Sequence, residues 1–64
     1  MRSVTMEILE PGDKDWSPIA EVQALDQPGE LDAAYRALIE MRDRWINMRL
    51  FKLGAQFRFV IHQS

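Results

Sequence analysis

One amphipathic helix is predicted for the segment from Glu30 to Met48, and this helix limits the folds that are open to the chain. Its apolar residues recur at steps of three and four, namely Leu31, Ala34, Tyr35, Leu38, Met41, Trp45 and Met48. Ile39 and Ile46 widen the apolar stripe, which at about 100° per residue covers roughly half of the helix circumference. Such a stripe is too wide for the seam of a coiled coil and suits a helix that lies on a β-sheet.

Two segments before the helix have the alternating pattern of half-buried β-strands. Ser3 to Leu9 places apolar residues on one face, and Ile19 to Leu25 is expected to turn three small or β-branched side chains toward the helix: Ala20, Val22 and Ala24. Between them, Glu10 to Asp13 reads Glu-Pro-Gly-Asp, which favours a type II turn because Gly accepts the positive φ of the third position. The two strands therefore predict an antiparallel hairpin.

The helix boundaries are less clearly encoded. At the start, Asp26 or Gln27 is expected to cap the helix, with Pro28 in the first turn. At the end, the helix either stops near Met48 or continues to a glycine that follows residue 53. We favour the early stop, with residues 49–53 as a short strand, because the apolar residues of that segment would otherwise fall on the polar side of the helix.

A strand from Gln56 to His62 completes the expected elements. Its aromatic and β-branched residues favour a central or well-paired strand. The sequence thus predicts one domain, residues 1–64, of the α+β class. Its fold is ββα(β)β, with a small antiparallel sheet of three or four strands and one long helix packed on one face.

The composition excludes several kinds of chemistry. The 64 residues include no Cys and one His, so disulfides and Cys/His zinc sites are excluded, and we expect no metal and no cofactor. No nucleophile motif and no glycine-rich phosphate loop is present, so we expect no enzyme activity. No signal peptide and no membrane-spanning run is recognised, which predicts a cytoplasmic protein.

Charge is distributed unevenly along the chain. Residues 1–35 carry two basic and eight acidic residues, and residues 36–64 carry six basic and two acidic ones, within a net charge of −2. Either the two halves attract each other within the fold, or the surface has an acidic and a basic pole that steer charged partners.

The acidic loop of the hairpin is the first candidate site. Glu10, Asp13, Asp15 and Trp16 lie together there. Trp16 either folds back over the open end of the core or serves as an exposed aromatic anchor, the kind of residue that forms binding hot spots. We expect this loop to contact a basic groove on another protein.

Three arginines of the second half are further candidates for partner contact: Arg42, Arg44 and Arg58. Arg42 lies within the apolar arc of the helix, so its guanidinium must pair with an acid of the sheet (Glu7 or Glu21), extend outward to water, or reach a partner. The other two belong to a basic set, with phenylalanines interleaved, that would suit nucleic acid. We rank nucleic-acid binding low because acidic residues dilute this set.

The order of several short motifs resembles small phage-encoded proteins. These motifs are Trp16-x-x-Ile19-Ala20-x-Val22, Asp26, Ala33-Ala34-Tyr35 in the helix, and Phe57-Arg58-Phe59-Val60-Ile61. The resemblance implies a single ββα(β)β unit that binds and blocks host machinery such as RNA polymerase, nucleases or CRISPR effectors.

The expected function is therefore that of a small non-catalytic protein-binding domain, for example an anti-CRISPR-like inhibitor. A nucleic-acid-binding module that uses the basic second half is the alternative, and a self-assembling structural subunit is a third. A half-apolar helix and an exposed edge strand also leave a homodimer open.

Overall fold

The computed structural model describes residues 1–63, which form a three-stranded antiparallel sheet with one helix on one face. In chain order the elements are β1 (Arg2–Leu9), β2 (Ser17–Ala24), α1 (Glu30–Asn47) and β3 (Gln56–Gln63). The order across the sheet is β2-β1-β3, so β1 is central. The predicted α+β class is confirmed, although the helix is short rather than long, since it ends after 18 residues.

The core lies between α1 and the helix-facing side of β1. Val4 and Met6 of β1 and Leu38 of α1 are fully buried, and Ala24 and Ala34 close the cluster at its sides. Full burial of one such large side chain stabilises the fold by about 1.5–3 kcal/mol. The alternation read in the first strand thus places its apolar residues in the core as expected.

The second strand also faces the helix as predicted, but it pairs irregularly. Ala24 is buried, and Ala20 and Val22 pack against the core, whereas the two residues between them are exposed. The pairing with β1 shifts register between Met6 and Glu7, because Met6 lies opposite Ala20 and Glu7 opposite Pro18. This bulge leaves one extra residue in β2.

The third strand is well paired, one of the two predicted alternatives, but it lies at the edge of the sheet and not at its centre. It pairs with β1 in continuous register, from Arg2 opposite Gln63 to Leu9 opposite Gln56. α1 packs on β2 and β1 and scarcely on β3. Ile61, expected in the core, therefore stays 46% exposed.

The start of the helix differs from the prediction. Gly29 occupies the N-cap position with φ of 83°, and no side chain caps the helix. Pro28 lies before the cap and outside the helix. Asp26 lies 3.3 Å from the terminal amino group of Met1 and 3.4 Å from Nε of Arg2, so its carboxylate holds the start of β1 instead.

The end of the helix confirms the early stop but contains no fourth strand. The N–H of Arg49 donates to the carbonyl of Ile46 at 2.9 Å, and the N–H of Leu50 donates to that of Trp45 at 3.1 Å. These two bonds form a Schellman motif, whose left-handed position is normally Gly. Here it is Arg49, with φ of 57°. Residues 49–53 continue as turns because the chain must reverse before β3.

We predict that Leu38→Ala destabilises the domain by about 2–5 kcal/mol, because a fully buried leucine leaves a cavity when it is truncated. The same substitution at Leu53, which is 99% exposed, should leave stability within about 0.5 kcal/mol of wild type. Urea unfolding followed by circular dichroism measures both. Equal stability of the two variants would contradict the helix-on-sheet core.

We predict that Arg49→Gly stabilises the domain by about 1 kcal/mol, because Gly adopts positive φ without the clash of a Cβ atom. Arg44→Gly, inside the helix, is the matched control and should cost about 0.8–1 kcal/mol. Thermal unfolding of the two variants measures the opposite signs. A loss of stability in Arg49→Gly would show that the arginine side chain contributes more than its backbone strain costs.

Candidate functional site

The exposed apolar side chains concentrate at the end of the molecule where α1 passes to β3. Ile46, Met48, Leu50 and Leu53 are four of the seven large hydrophobic residues that are exposed among the described residues. Single exposed hydrophobics are common on soluble proteins, but a contiguous set marks an interaction surface. We call this set, together with the groove described next, the apolar end.

A groove of about 350 Å³ lies within the apolar end. Phe51 and Phe57 line it, with Ile46 and Leu53 beside them. This volume falls at the small end of the range of about 300–1,000 Å³ that is typical of ligand sites. The groove is open to solvent and predominantly apolar, which suits the insertion of apolar side chains.

Aromatic packing holds the connection between α1 and β3 in place. The ring of Phe51 lies edge-to-face against Trp45, with centroids 6.0 Å apart, and against Phe57 at 5.1 Å. Such pairs contribute about 0.5–1.5 kcal/mol each beyond the burial of their area. Phe51 therefore ties the connection to the helix on one side and to β3 on the other, and the groove is a formed feature of the fold.

Backbone contacts fix the other side of the same connection. The N–H of Lys52 donates to Oε2 of Glu10 at 3.0 Å, which joins the connection to the β1–β2 loop. Gly54 has φ of 92°, and a Cβ atom there would meet Cγ of Pro11 at 3.3 Å. Only Gly suits both the conformation and the close approach of the loop.

The two charged residues that line the groove are basic, and the carboxylate of Glu10 lies beside them on the backbone N–H of Lys52. Arg49 and Lys52 line the groove, and no acidic residue does. Arg44 lies in the last turn of α1, a few residues before. A cationic border around an apolar depression favours a partner that combines apolar and acidic groups.

The predicted acidic loop is partly used inside the fold. The N–H of Glu10 donates to Oδ2 of Asp13 at 3.1 Å, and the N–H of Asp13 donates to the carbonyl of Glu10 at 2.9 Å. Gly12 has φ of 94°, as the expected type II turn requires. Asp15 is exposed. Glu10 and Asp13 thus shape the loop, and the side chains of Asp13 and Asp15 are both exposed.

Trp16 and Arg58, predicted separately, come together on the sheet face opposite the helix. The guanidinium carbon of Arg58 lies 4.5 Å from the centroid of the Trp16 ring, and its Nε donates to Oε1 of Glu7 at 2.6 Å. Trp16 therefore does not cover the end of the helix-side core, and its role as an anchor for a partner stays a prediction. Its partly buried ring packs on a cation that is already paired.

The two remaining predicted arginines lie on the helix. The expected pair of Arg42 with Glu7 or Glu21 is not formed: Arg42 bonds to Oδ1 of Asp43 through Nε and Nη2, each at 3.3 Å. The guanidinium bonds along the helix surface instead, because Glu7 and Glu21 lie on the sheet face opposite the helix. Arg44 is exposed.

Sequence reasoning missed the apolar end. Phe51 and Phe57 were assigned to a basic, nucleic-acid-type set, and Leu53 to a strand. The available signal was that Leu50 and Phe51 fall outside the apolar arc of the helix, and that in a strand Leu50 would face away from Phe51 and Leu53. Neither element would bury all three side chains.

Other kinds of site are not found in the described part of the chain. Within residues 1–63, no group of three or more His, Cys, Asp or Glu side chains could hold a metal ion. In the same residues no helix has the length and apolar character needed to cross a membrane. No protein-family model, curated protein or solved structure matches the chain.

We predict that Trp16 and Arg58 are energetically coupled by about 0.5–1 kcal/mol, the usual size of a cation–π contact at an exposed site. A double-mutant cycle of Trp16→Ala and Arg58→Ala in urea unfolding measures it. The cycle of Trp16→Ala with Arg44→Ala is the control, and its coupling should vanish. Coupling energies of equal size in both cycles would contradict the contact.

Proposed function

We propose that this chain is a non-catalytic protein-binding domain whose groove receives an acidic, apolar segment of another protein. One observation carries the proposal: four of the seven exposed large hydrophobics of the described residues fall within residues 46–53, and two of the four, Ile46 and Leu53, line a formed groove. Hot-spot residues of protein interfaces insert into such pockets, where their full desolvation contributes most of the binding energy.

The partner's chemistry follows from the border of the groove. Arg49 and Lys52 lie beside apolar walls, so a segment with acidic residues next to a large apolar side chain matches both charge and hydrophobicity. Charge complementarity speeds the encounter and excludes basic partners, while apolar insertion slows dissociation.

The distribution of basic residues supports a protein partner over nucleic acid. Arg36 pairs with Asp32 at 3.0 Å, Arg42 with Asp43 at 3.3 Å, and Arg58 lies on the opposite face of the sheet against Glu7. Nucleic-acid binding requires several cations along one surface that can neutralise successive phosphates. Here four of the eight basic side chains, Arg2, Arg36, Arg42 and Arg58, are paired with acids.

A small inhibitor of host defence or transcription machinery, the role that the phage-type resemblance suggests, is one form of this proposal. A stoichiometric inhibitor needs a single contact surface and no catalytic group. The apolar end, at one extremity of the molecule, offers such a surface. In this form of the proposal, the bound segment belongs to the inhibited target.

The test uses a short capped peptide with a Leu-Phe pair between Asp and Glu residues, titrated into isotope-labelled protein. We expect amide shifts to change at residues 46–57, and the same peptide with Lys in place of the acids should bind at least about tenfold more weakly. No shift change at these residues with the acidic peptide, or equal binding of both peptides, would overturn the proposal.

We predict that the double variant Arg49→Gln, Lys52→Gln binds the acidic peptide about tenfold more weakly, mainly through slower association. The difference should shrink as salt rises, because the contacts are exposed. Arg36→Gln removes an equally exposed cation from the helix and should bind as wild type does. Stopped-flow fluorescence measures the rates, and an equal loss in Arg36→Gln would point to net charge instead of the groove.

A further inference from the structure

The two edges of the sheet are unequal. The β2 edge is broken by the bulge and by Pro18, which has no N–H to donate, and α1 packs over this strand. Bulges and prolines are common means of preventing edge-to-edge pairing. The β3 edge has neither: it is regular over eight residues, from Gln56 to Gln63, and rich in aromatic and β-branched side chains.

The helix-facing side of β3 is also incompletely covered. Phe59 packs edge-to-face on Tyr35 of α1, with ring centroids 5.7 Å apart. Ile61, two residues further on the same face, is 46% exposed. Beyond β3, no strand of the described residues pairs with its outer edge. An open backbone edge and an exposed apolar side chain therefore coincide on one strand.

We propose that a second copy of this chain pairs antiparallel along β3, in a register centred on Phe59, to give a continuous six-stranded sheet. The proposal uses the β3 edge, which shares Phe57 with the groove, and it does not depend on the proposed function. Its occupant is a second copy because the strand is self-complementary in this register.

The register follows from the side chains that would lie opposite each other. Centred on Phe59, each exposed Ile61 lies opposite Phe57 of the other copy, and Arg58 lies opposite Val60. Directly opposed residues of antiparallel strands share a face, so the two helices then lie on the same side of the sheet. The apolar row of β3 is continued across the interface, with each Ile61 beside an aromatic ring.

Neighbouring registers are less favourable. A centre at Arg58 would place the two arginines directly opposite each other, which is destabilising for like charges. A centre at Val60 would place Arg58 opposite His62 and Phe57 opposite Gln63. A centre between Phe59 and Val60 would place Phe57 opposite His62 and put the two helices on opposite faces, which breaks the apolar row.

The pairing leaves the two grooves apart. Each groove lies at the Gln56 end of its β3, and antiparallel strands carry these ends to opposite sides of the interface. A dimer would therefore present two apolar ends. A small domain also gains stability from oligomerisation that its own core does not supply.

Sedimentation of the wild type and two variants tests the proposal. We expect the wild type to sediment as a dimer at high micromolar concentration. Ile61→Lys should weaken the dimer by about tenfold or more, because the ammonium would lie against Phe57 of the other copy. Leu25→Lys is the matched control, since Leu25 is 48% exposed and lies outside the β3 edge. A monomeric wild type, or equal dimerisation of all three proteins, would overturn the proposal.

Spin labels on single cysteines test the register without altering the core, and the chain has no other Cys to react. Positions 60 and 56 lie on the sheet face opposite the helix. Centred on Phe59, the two copies of Val60 are offset by two residues, about 7 Å along the strand, and those of Gln56 by six, about 20 Å. We expect the shorter label distance at position 60. A shorter distance at position 56, or no dipolar coupling at either site, would contradict the pairing.

Discussion

The width of one helix is the constraint on which the rest of this structure depends. An α-helix with its side chains is about 10–12 Å across, and strands lie about 4.8 Å apart, so one helix covers two strands well and three incompletely. Here α1 lies over β1 and β2, and the fully buried side chains Val4, Met6 and Leu38 mark the line of closest packing. The helix-facing side chains of the third strand must therefore be buried in part by residues outside α1.

The connection from α1 to β3 supplies part of the cover for these side chains. Phe51 bridges Trp45 and Phe57 by edge-to-face contacts, and Tyr35 extends the aromatic layer to Phe59. Aromatic rings are suited to this position because they bury large areas with few rotatable bonds. The cover is incomplete at both ends of β3, with the groove at one end and exposed Ile61 at the other. Both proposed contact surfaces thus exist because α1 does not fully cover the helix-facing side of β3.

Local patterns in the sequence were sufficient to predict the strands and the helix. They did not predict which strands pair with each other. Alternation identified β1 because one of its faces is buried and the other polar. The aromatic content of β3 suggested a central or well-paired strand, and the structure has a well-paired strand at the edge of the sheet, whose rings complete the core. Strand order depends on pairing between segments that are distant in the sequence. The contacts of Arg58 with Trp16 and Glu7 arise from that pairing, so local patterns could not predict them. The groove was missed because most of its lining comes from residues 49–55, whose apolar residues fit neither one helix face nor one strand face.

Arg49 connects the local conformation with the proposed binding role. Its position in the Schellman motif requires φ of 57°, where Gly is the usual residue and a side chain costs about 1–2 kcal/mol. The chain instead has a cation here, and the cation lines the groove beside Phe51 and Leu53. A strained backbone conformation persists only where many surrounding contacts hold it in place, and such conformations are frequent at functional sites. In a domain of 64 residues that cost is a sizeable part of the net stability. A glycine is expected to suit this backbone conformation better, and the proposed binding of an acidic segment would account for a cation at this position.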